Sequence, residues 1–366
     1  MRSGAAMAPG DRRAVAIWLM VVAALVFGMV VLGGVTRLTE SGLSMTDWNP
    51  VTGWIPPLSE PEWQEEFEKY RASPEYRQIN RGMALADFKT IFWYEFWHRV
   101  LGRIIGLAFL VPFMVFLFRK RLDPPMTRRL WLLFVLGGLQ GLVGWFMVKS
   151  GLVDRPSVSQ YRLAMHLGLA FLIYGMLVWT IAGLLHTPDY GSAEPGIARP
   201  RRGVGWLLAL VSVTIVSGAF VAGLDAGLYY NTFPLMDGRV VPADYLADEP
   251  WWLNPFQNVA AVQFNHRLLA IATVVAIFAT WFGLARSSLT TRTRLAARAL
   301  AAMAVLQALI GVMALLAYVP VWLGALHQIG ALVLFTLTIL LLDSLRQREA
   351  QSRRSISRSS DRRSAR

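Results

Sequence analysis

The chain has 366 residues, 55% of them hydrophobic and 16% charged, with no Cys and a net charge of +13. A soluble domain is about one quarter charged, and no single water-soluble core hides this much apolar surface, so a soluble enzyme, a disordered chain and a coiled coil are excluded. The absence of Cys excludes disulfides, thiolate metal sites, Cys-ligated iron–sulfur clusters and covalently attached c-type haem.

The apolar residues gather into eight blocks, each able to cross a bilayer as a helix of about 20 residues. They are 14–35, 97–117, 130–148, 163–185, 204–224, 262–284, 296–317 and 321–342. The first is too long for a signal-peptide core and no small-residue cleavage site follows it, so it reads as retained. The predicted fold class is all-α integral membrane, with eight transmembrane helices.

Basic residues favour alternate connections. Arg2, Arg12 and Arg13 precede the first block, and Arg119, Lys120, Arg121, Arg128 and Arg129 lie between the second and third. Arg199, Arg201 and Arg202 follow the fourth block, Arg286, Arg292, Arg294 and Arg298 follow the sixth, and the tail adds eight Arg from Arg346 onward. These segments hold 23 of the 36 Lys and Arg. The positive-inside rule places them and both termini in the cytoplasm, so the charge is an orientation signal and not a nucleic-acid footprint. Two long connections, 36–96 and 225–261, are rich in Trp, Pro and Gly and cap the outer face, with Trp48, Trp54, Trp93, Trp97, Trp251 and Trp252 as an interfacial aromatic belt. Segment 60–71 reads as a short amphipathic helix, and the Ser/Arg-rich tail 346–366 as disordered.

The two halves repeat. Glu95-Phe96-Trp97-His98-Arg99 matches Gln263-Phe264-Asn265-His266-Arg267, and Leu139-Gln140-Gly141 matches Leu306-Gln307-Ala308. Ala164-Met165-His166 matches Ala325-Leu326-His327, and Gly33-Gly34-Val35 is set against Ser217-Gly218-Ala219. The offsets are 168 for His98 and His266, 167 for Gln140 and Gln307, and 161 for His166 and His327. Four helices per half preserve orientation, which predicts two four-helix bundles related by a pseudo-two-fold axis along the membrane normal. The first bundle takes residues 14–190 and the second 204–345, with 1–13 as a cytoplasmic N-terminus and 191–203 as a cytoplasmic linker.

Four of the five His fall on the repeat, each one or two turns inside the membrane from the outer side. Two facing His do not make a closed zinc site, which wants four ligands. They do suit the two axial positions of a haem, whose porphyrin supplies the other four nitrogens and whose macrocycle an apolar bundle buries. The predicted sites are His98 with His166, and His266 with His327. His186 has no repeat partner and reads as a loop residue.

Glu95 lies one turn before His98, where its counterpart is Gln263. A carboxylate at the bilayer edge beside such a His is expensive unless used, and can serve as a proton acceptor; the competing reading is a salt bridge to Arg99. This asymmetry predicts chemistry in the N-terminal half and a permanent haem in the C-terminal half. Gln140 and Gln307 read as hydrogen bonds between close-packed helices. Arg37, Arg99, Arg103 and Arg267 lie at the outer rim, where haem propionates want cations and where snorkelling to headgroups is the alternative.

These residues resemble the haem A synthase family, the membrane enzymes of cytochrome oxidase biogenesis. The matching stretches are Gly33-Gly34-Val35-Thr36-Arg37-Leu38-Thr39-Glu40-Ser41-Gly42-Leu43-Ser44, Trp48-Asn49-Pro50, Gly53-Trp54-Ile55-Pro56-Pro57, Glu95-Phe96-Trp97-His98-Arg99, Gln140-Gly141-Leu142-Val143-Gly144-Trp145, Met165-His166-Leu167, Gly223-Leu224-Asp225-Ala226-Gly227, Asn265-His266-Arg267 and His327-Gln328. They span block one to block eight.

The resemblance implies an oxidoreductase acting on a CH3 group. It would convert the ring-D methyl of haem O to a formyl group by two hydroxylations and loss of water, giving haem A. It implies a haem b cofactor on His266 and His327, the substrate haem iron on His98 and His166, and catalytic roles for Glu95, His98 and His166. Arg37, Arg99 and Arg267 are the propionate candidates. Some bacterial members carry a cysteine pair in an outer loop; this chain has none and is more similar to the proteobacterial and mitochondrial branch. A bacterial inner membrane with haem sites near the periplasmic side is expected. A haem O synthase, an electron carrier and a second copy of the chain stay open as partners. The rival readings are a di-haem b quinol-oxidising electron-transfer subunit and a haem or solute carrier.

Overall fold

The computed structural model describes residues 7–49, 52–151, 159–185, 198–286 and 289–364. His186 and linker residues 191–197 lie outside them. The described residues form eleven α-helices and two short 3-10 turns, with no strand beyond one isolated bridge between Met236 and Arg239. Eight helices are long and apolar enough to cross a membrane. These are α1 (Pro9–Leu38), α4 (Leu85–Phe118), α5 (Pro124–Gly151), α6 (Gln160–Leu185), α7 (Ala198–Gly223), α9 (Val259–Ala285), α10 (Thr291–Leu316) and α11 (Val321–Ser364). Between them lie α2 (Glu60–Arg71), α3 (Pro74–Gln78) and α8 (Asn254–Gln257).

Local chemistry sets the ends. Pro9 opens α1 and Pro124 opens α5, where the missing N–H costs nothing. The Asp123 side chain accepts the Met126 N–H at 2.8 Å, and the Asn258 side chain accepts the Ala261 N–H at 2.9 Å to cap α9. Pro112 inside α4 frees the carbonyl four residues back, and the Trp18 indole of α1 donates to that Ala108 oxygen at 2.8 Å.

The helices pack in a repeated pattern. In the first half α1 packs on α4 and α6, and α5 on α6; in the second, α7 packs on α9 and α11, and α10 on α11. The halves meet through α6 against α7, α1 against α11, and α6 against α11. The connection 39–84 folds down on α4: Trp63, Phe67 and Tyr70 of α2 are buried against Phe88, Phe92 and Phe96. The i, i+4, i+7 spacing puts the three α2 rings on one face, and Trp63 meets Phe92 edge-on at 5.0 Å.

Two expectations are corrected. The first long connection is shorter than 36–96, because α1 runs on to Leu38 and α4 begins at Leu85. Against the expectation of a tail without structure at 346–366, α11 continues as helix to Ser364, with no Gly or Pro after Gly330 to stop it.

Candidate functional site

Each repeat histidine faces a glycine on a neighbouring helix. A β-carbon on Gly33 of α1 would stand 3.2 Å from His98 Nε2, and one on Gly218 of α7 would stand 3.1 Å from His266 Cε1. A β-carbon on Gly144 of α5 would lie 3.0 Å from His166 Cε1, and one on Gly311 of α10 would lie 2.8 Å from His327 Cε1. A side chain at Gly311 would force the His327 ring to shift, and one at Gly33, Gly144 or Gly218 would press on its imidazole more tightly than an ordinary contact. The His266 and His327 ring planes lie at 81° to one another with centroids 6.5 Å apart. Two imidazoles bound on either side of one metal by bonds of about 2 Å place their centroids about 6 Å apart, a separation close to that of this pair. His98 lies within electrostatic reach of His166.

The glutamines hold the second histidine of each pair. Gln140 Nε2 lies 3.2 Å from His166 Nδ1 and donates to its backbone oxygen at 3.1 Å; Gln307 does the same to His327 at 3.2 and 2.9 Å. Their Oε1 atoms are buried without a hydrogen-bond partner. Among the described residues no three His, Asp or Glu converge to hold a metal by themselves. Two imidazoles per half, glycine cradles and orphaned amide oxygens therefore fit a planar metal group that brings its own equatorial ligands.

At the loop-bearing end each half carries a clamp. Glu95 is 2% exposed. Its Oε2 accepts from Ser44 Oγ and Met45 N, both at 2.8 Å, and its Oε1 accepts from Arg99 Nε at 3.0 Å and Nη2 at 2.5 Å. Arg99 also donates to the Met45 and Asp47 carbonyls. In the second half Gln263 donates to the Ala226 and Tyr229 carbonyls, and Arg267 donates to Gln263 Oε1 and to the Tyr230 and Thr232 carbonyls. Met45 and Tyr230, Asp47 and Thr232, and Gly33 and Gly218 are each 185 residues apart. Gly33 therefore pairs with Gly218, one position off the alignment that matched Gly33 to Ser217.

The salt-bridge reading of Glu95 is thus realised, which leaves its oxygens fully engaged. Arg37 of α1 crosses to the second half and forms two bonds of 2.8 Å to Asp225. Arg37 Nε and Arg267 Nε are buried without hydrogen-bond partners, which suits an anionic group arriving at the rim. Arg103 donates to the Asn49 carbonyl at 2.7 Å. Behind this rim Glu75 is 4% exposed; burial, with Glu95 and Glu40 nearby, pushes its carboxyl up to about 8.

Sequence reasoning singled out the histidines, Glu95 and the glutamines, but not the glycine opposite each imidazole. The available signal was Gln140 with Gly144, and Gln307 with Gly311, four residues apart on one helical face.

The model of the cytochrome oxidase assembly protein family matches residues 16–339. The haem A synthase of Nitrosospira multiformis is 50% identical over 338 residues, covering 92% of this chain and 94% of that protein. Those of Nitrosomonas eutropha and Parvibaculum lavamentivorans are 47% and 48% identical, over 88% and 90% of this chain and 91% and 93% of theirs. With the family model spanning nearly every helix and such relatives matching about nine-tenths of its length, the chain belongs to the cytochrome oxidase assembly protein family.

Proposed function

We propose that this protein is a haem A synthase of a bacterial inner membrane, oxidising the ring-D methyl of haem O to a formyl group by successive hydroxylations. The N-terminal half takes the substrate between His98 and His166, and the C-terminal half holds a resident haem b between His266 and His327. Haem b, when bound, supplies one-electron transfer. Glu95 manages protons beside the oxidised methyl, through the oxygens that now face Ser44 and Arg99. Arg37, Arg99 and Arg267 meet propionates at the periplasmic rim, and both termini lie in the cytoplasm.

The observation that carries this reading is the duplicated histidine site with a carboxylate clamp in one half and an amide clamp in the other. The relatives named above support it. Chromatography of haems extracted from the purified protein, made with and without haem O supply, tests it. Haem b alone without supply, with haem O and haem A appearing on supply, is the expected result. Two equivalents of haem b under both conditions would favour a di-haem electron-transfer subunit instead. His266→Ala should strip haem b while the protein still accumulates; unchanged haem b content would refute that assignment.

A further inference from the structure

The second histidine of each pair is treated alike, by Gln140 and Gln307. The first is not. In the C-terminal half Ser217 Oγ donates to the Thr214 carbonyl at 2.7 Å and lies 2.8 Å from His266 Nδ1. In the tautomer protonated at Nδ1, the hydroxyl oxygen accepts from Nδ1–H while its own proton goes to Thr214, and Nε2 of His266 carries the free lone pair.

The N-terminal half lacks this contact. Offset 185 sets Leu32 at the place of Ser217, one residue before the glycine under the imidazole. Leucine has no hydrogen-bonding group. Among the described residues the His98 ring makes no side-chain hydrogen bond, and it is turned over relative to His266. A β-carbon on Gly33 would lie 3.2 and 3.7 Å from Nε2 and Cδ2 of His98, whereas one on Gly218 would lie 3.1 and 3.7 Å from Cε1 and Nδ1 of His266.

We propose that Ser217 is the positioning residue that makes the C-terminal site a retention site, and that Leu32 at the matching place leaves His98 free to reorient and makes the N-terminal site an exchange site. A resident cofactor needs a ligand locked in one orientation. A site that takes in one haem and releases another needs a ligand that lets go. A hydrogen bond to the outer nitrogen of a metal-bound histidine orients the ring and raises its basicity, and removing such a partner lowers metal affinity about 10- to 100-fold. This rests on the two-site reading above and adds how two nearly identical sites come to behave differently.

The test uses the full-length, detergent-solubilised protein loaded with haem b. Loss of haem b to an excess of a haem-scavenging apoprotein is followed by absorbance, alongside the midpoint potential of the bound haem. Ser217→Ala should lose haem b about 10- to 100-fold faster with a shifted potential, and Ser217→Thr, which keeps the hydroxyl, should restore both. Ser217→Ala with the dissociation rate and potential of the parent would overturn the positioning role. Leu32→Ser provides an independent arm that does not disturb the resident site. In protein supplied with haem O as well, release of haem O from the N-terminal half should slow several-fold, and unchanged release would overturn the exchange half of the proposal. If the parent protein takes up no haem b at all, the two-site reading itself fails, an outcome distinct from either of these.

Discussion

Replacing Glu95 separates its structural role from its chemical one. Glu95→Ala would leave Ser44 Oγ, Met45 N and the guanidinium of Arg99, itself 8% exposed, without their carboxylate. Breaking a buried ion pair by removing one partner costs about 3–5 kcal/mol, because the remaining charge stays buried. That is a large share of the roughly 5–15 kcal/mol that holds a typical domain folded. An inactive Glu95→Ala protein would therefore prove little by itself. Glu95→Gln is the sharper variant. Gln263 shows that an amide can bond the arginine four residues on, but its Nε2 faces carbonyls, whereas the Ser44–Met45 segment presents donors. An amide at 95 satisfies either the arginine or the loop, which costs about 1–3 kcal/mol for the group left unpaired. Chemical unfolding, haem content and haem O conversion should be measured together on both variants. Glu95→Gln is expected to fold, keep haem b, take up haem O and fail to convert it. Full conversion by Glu95→Gln would remove the acid–base role, and parent-like stability of Glu95→Ala would refute the clamp.

Two further perturbations probe the site and the segment above it. Gly311→Ala places a β-carbon 2.8 Å from His327 Cε1 and should displace the ring, costing about 1–3 kcal/mol and lowering haem b content. Gly137→Ala on α5, with nothing within 4 Å, should change neither, and equal haem content in the two variants would contradict the cradle. Glu75 keeps its proton in the folded protein up to about pH 8 but releases it near 4.5 when unfolded. Between those values the unfolded state binds fewer protons, so stability falls as pH rises from about 4.5 to about 8. Glu75→Gln should flatten that fall in melting temperature, and superimposable pH profiles would show that Glu75 does not titrate in this range.

The eight spans, the repeat and the histidines were legible because each is written locally, in apolar length or in a short motif recurring at near-constant offset. The amphipathic segment 60–71 emerged as α2, its Trp63, Phe67 and Tyr70 on one face. What was not legible depends on how helices rotate and slide against one another. Ser217 reaches His266 across 49 residues of chain, and Arg99 reaches the Asp47 carbonyl across 52. No periodicity encodes such contacts. The repeat itself could be set one residue wrong at Gly33, because two adjacent glycines offer two registers, and the imidazole above Gly218 and the matching arginine clamps decide between them.

The halves also differ where they meet. Gln328, next to His327, donates to the Val30 carbonyl of α1 at 2.8 Å and lies directly against Gly34, next to the glycine that faces His98. Its repeat counterpart is Leu167, and the counterpart of Gly34 is Ala219. The α1–α11 seam thus carries a hydrogen bond, seated on a glycine, that the equivalent positions of the α6–α7 seam have no amide to form, and it joins the neighbours of both histidine sites. A β-carbon on Gly34 would collide with the Gln328 amide. The amide ends a flexible side chain and can swing aside, so Gly34→Ala should cost little more than the lost bond, about 1 kcal/mol. Gln328→Leu, which copies the other seam, should lose the same bond. If both act through that one contact, the double variant is no worse than either single one, since the second change has nothing left to remove. Strictly additive losses in unfolding free energy would refute a shared contact, and with it the link between the two sites through this seam.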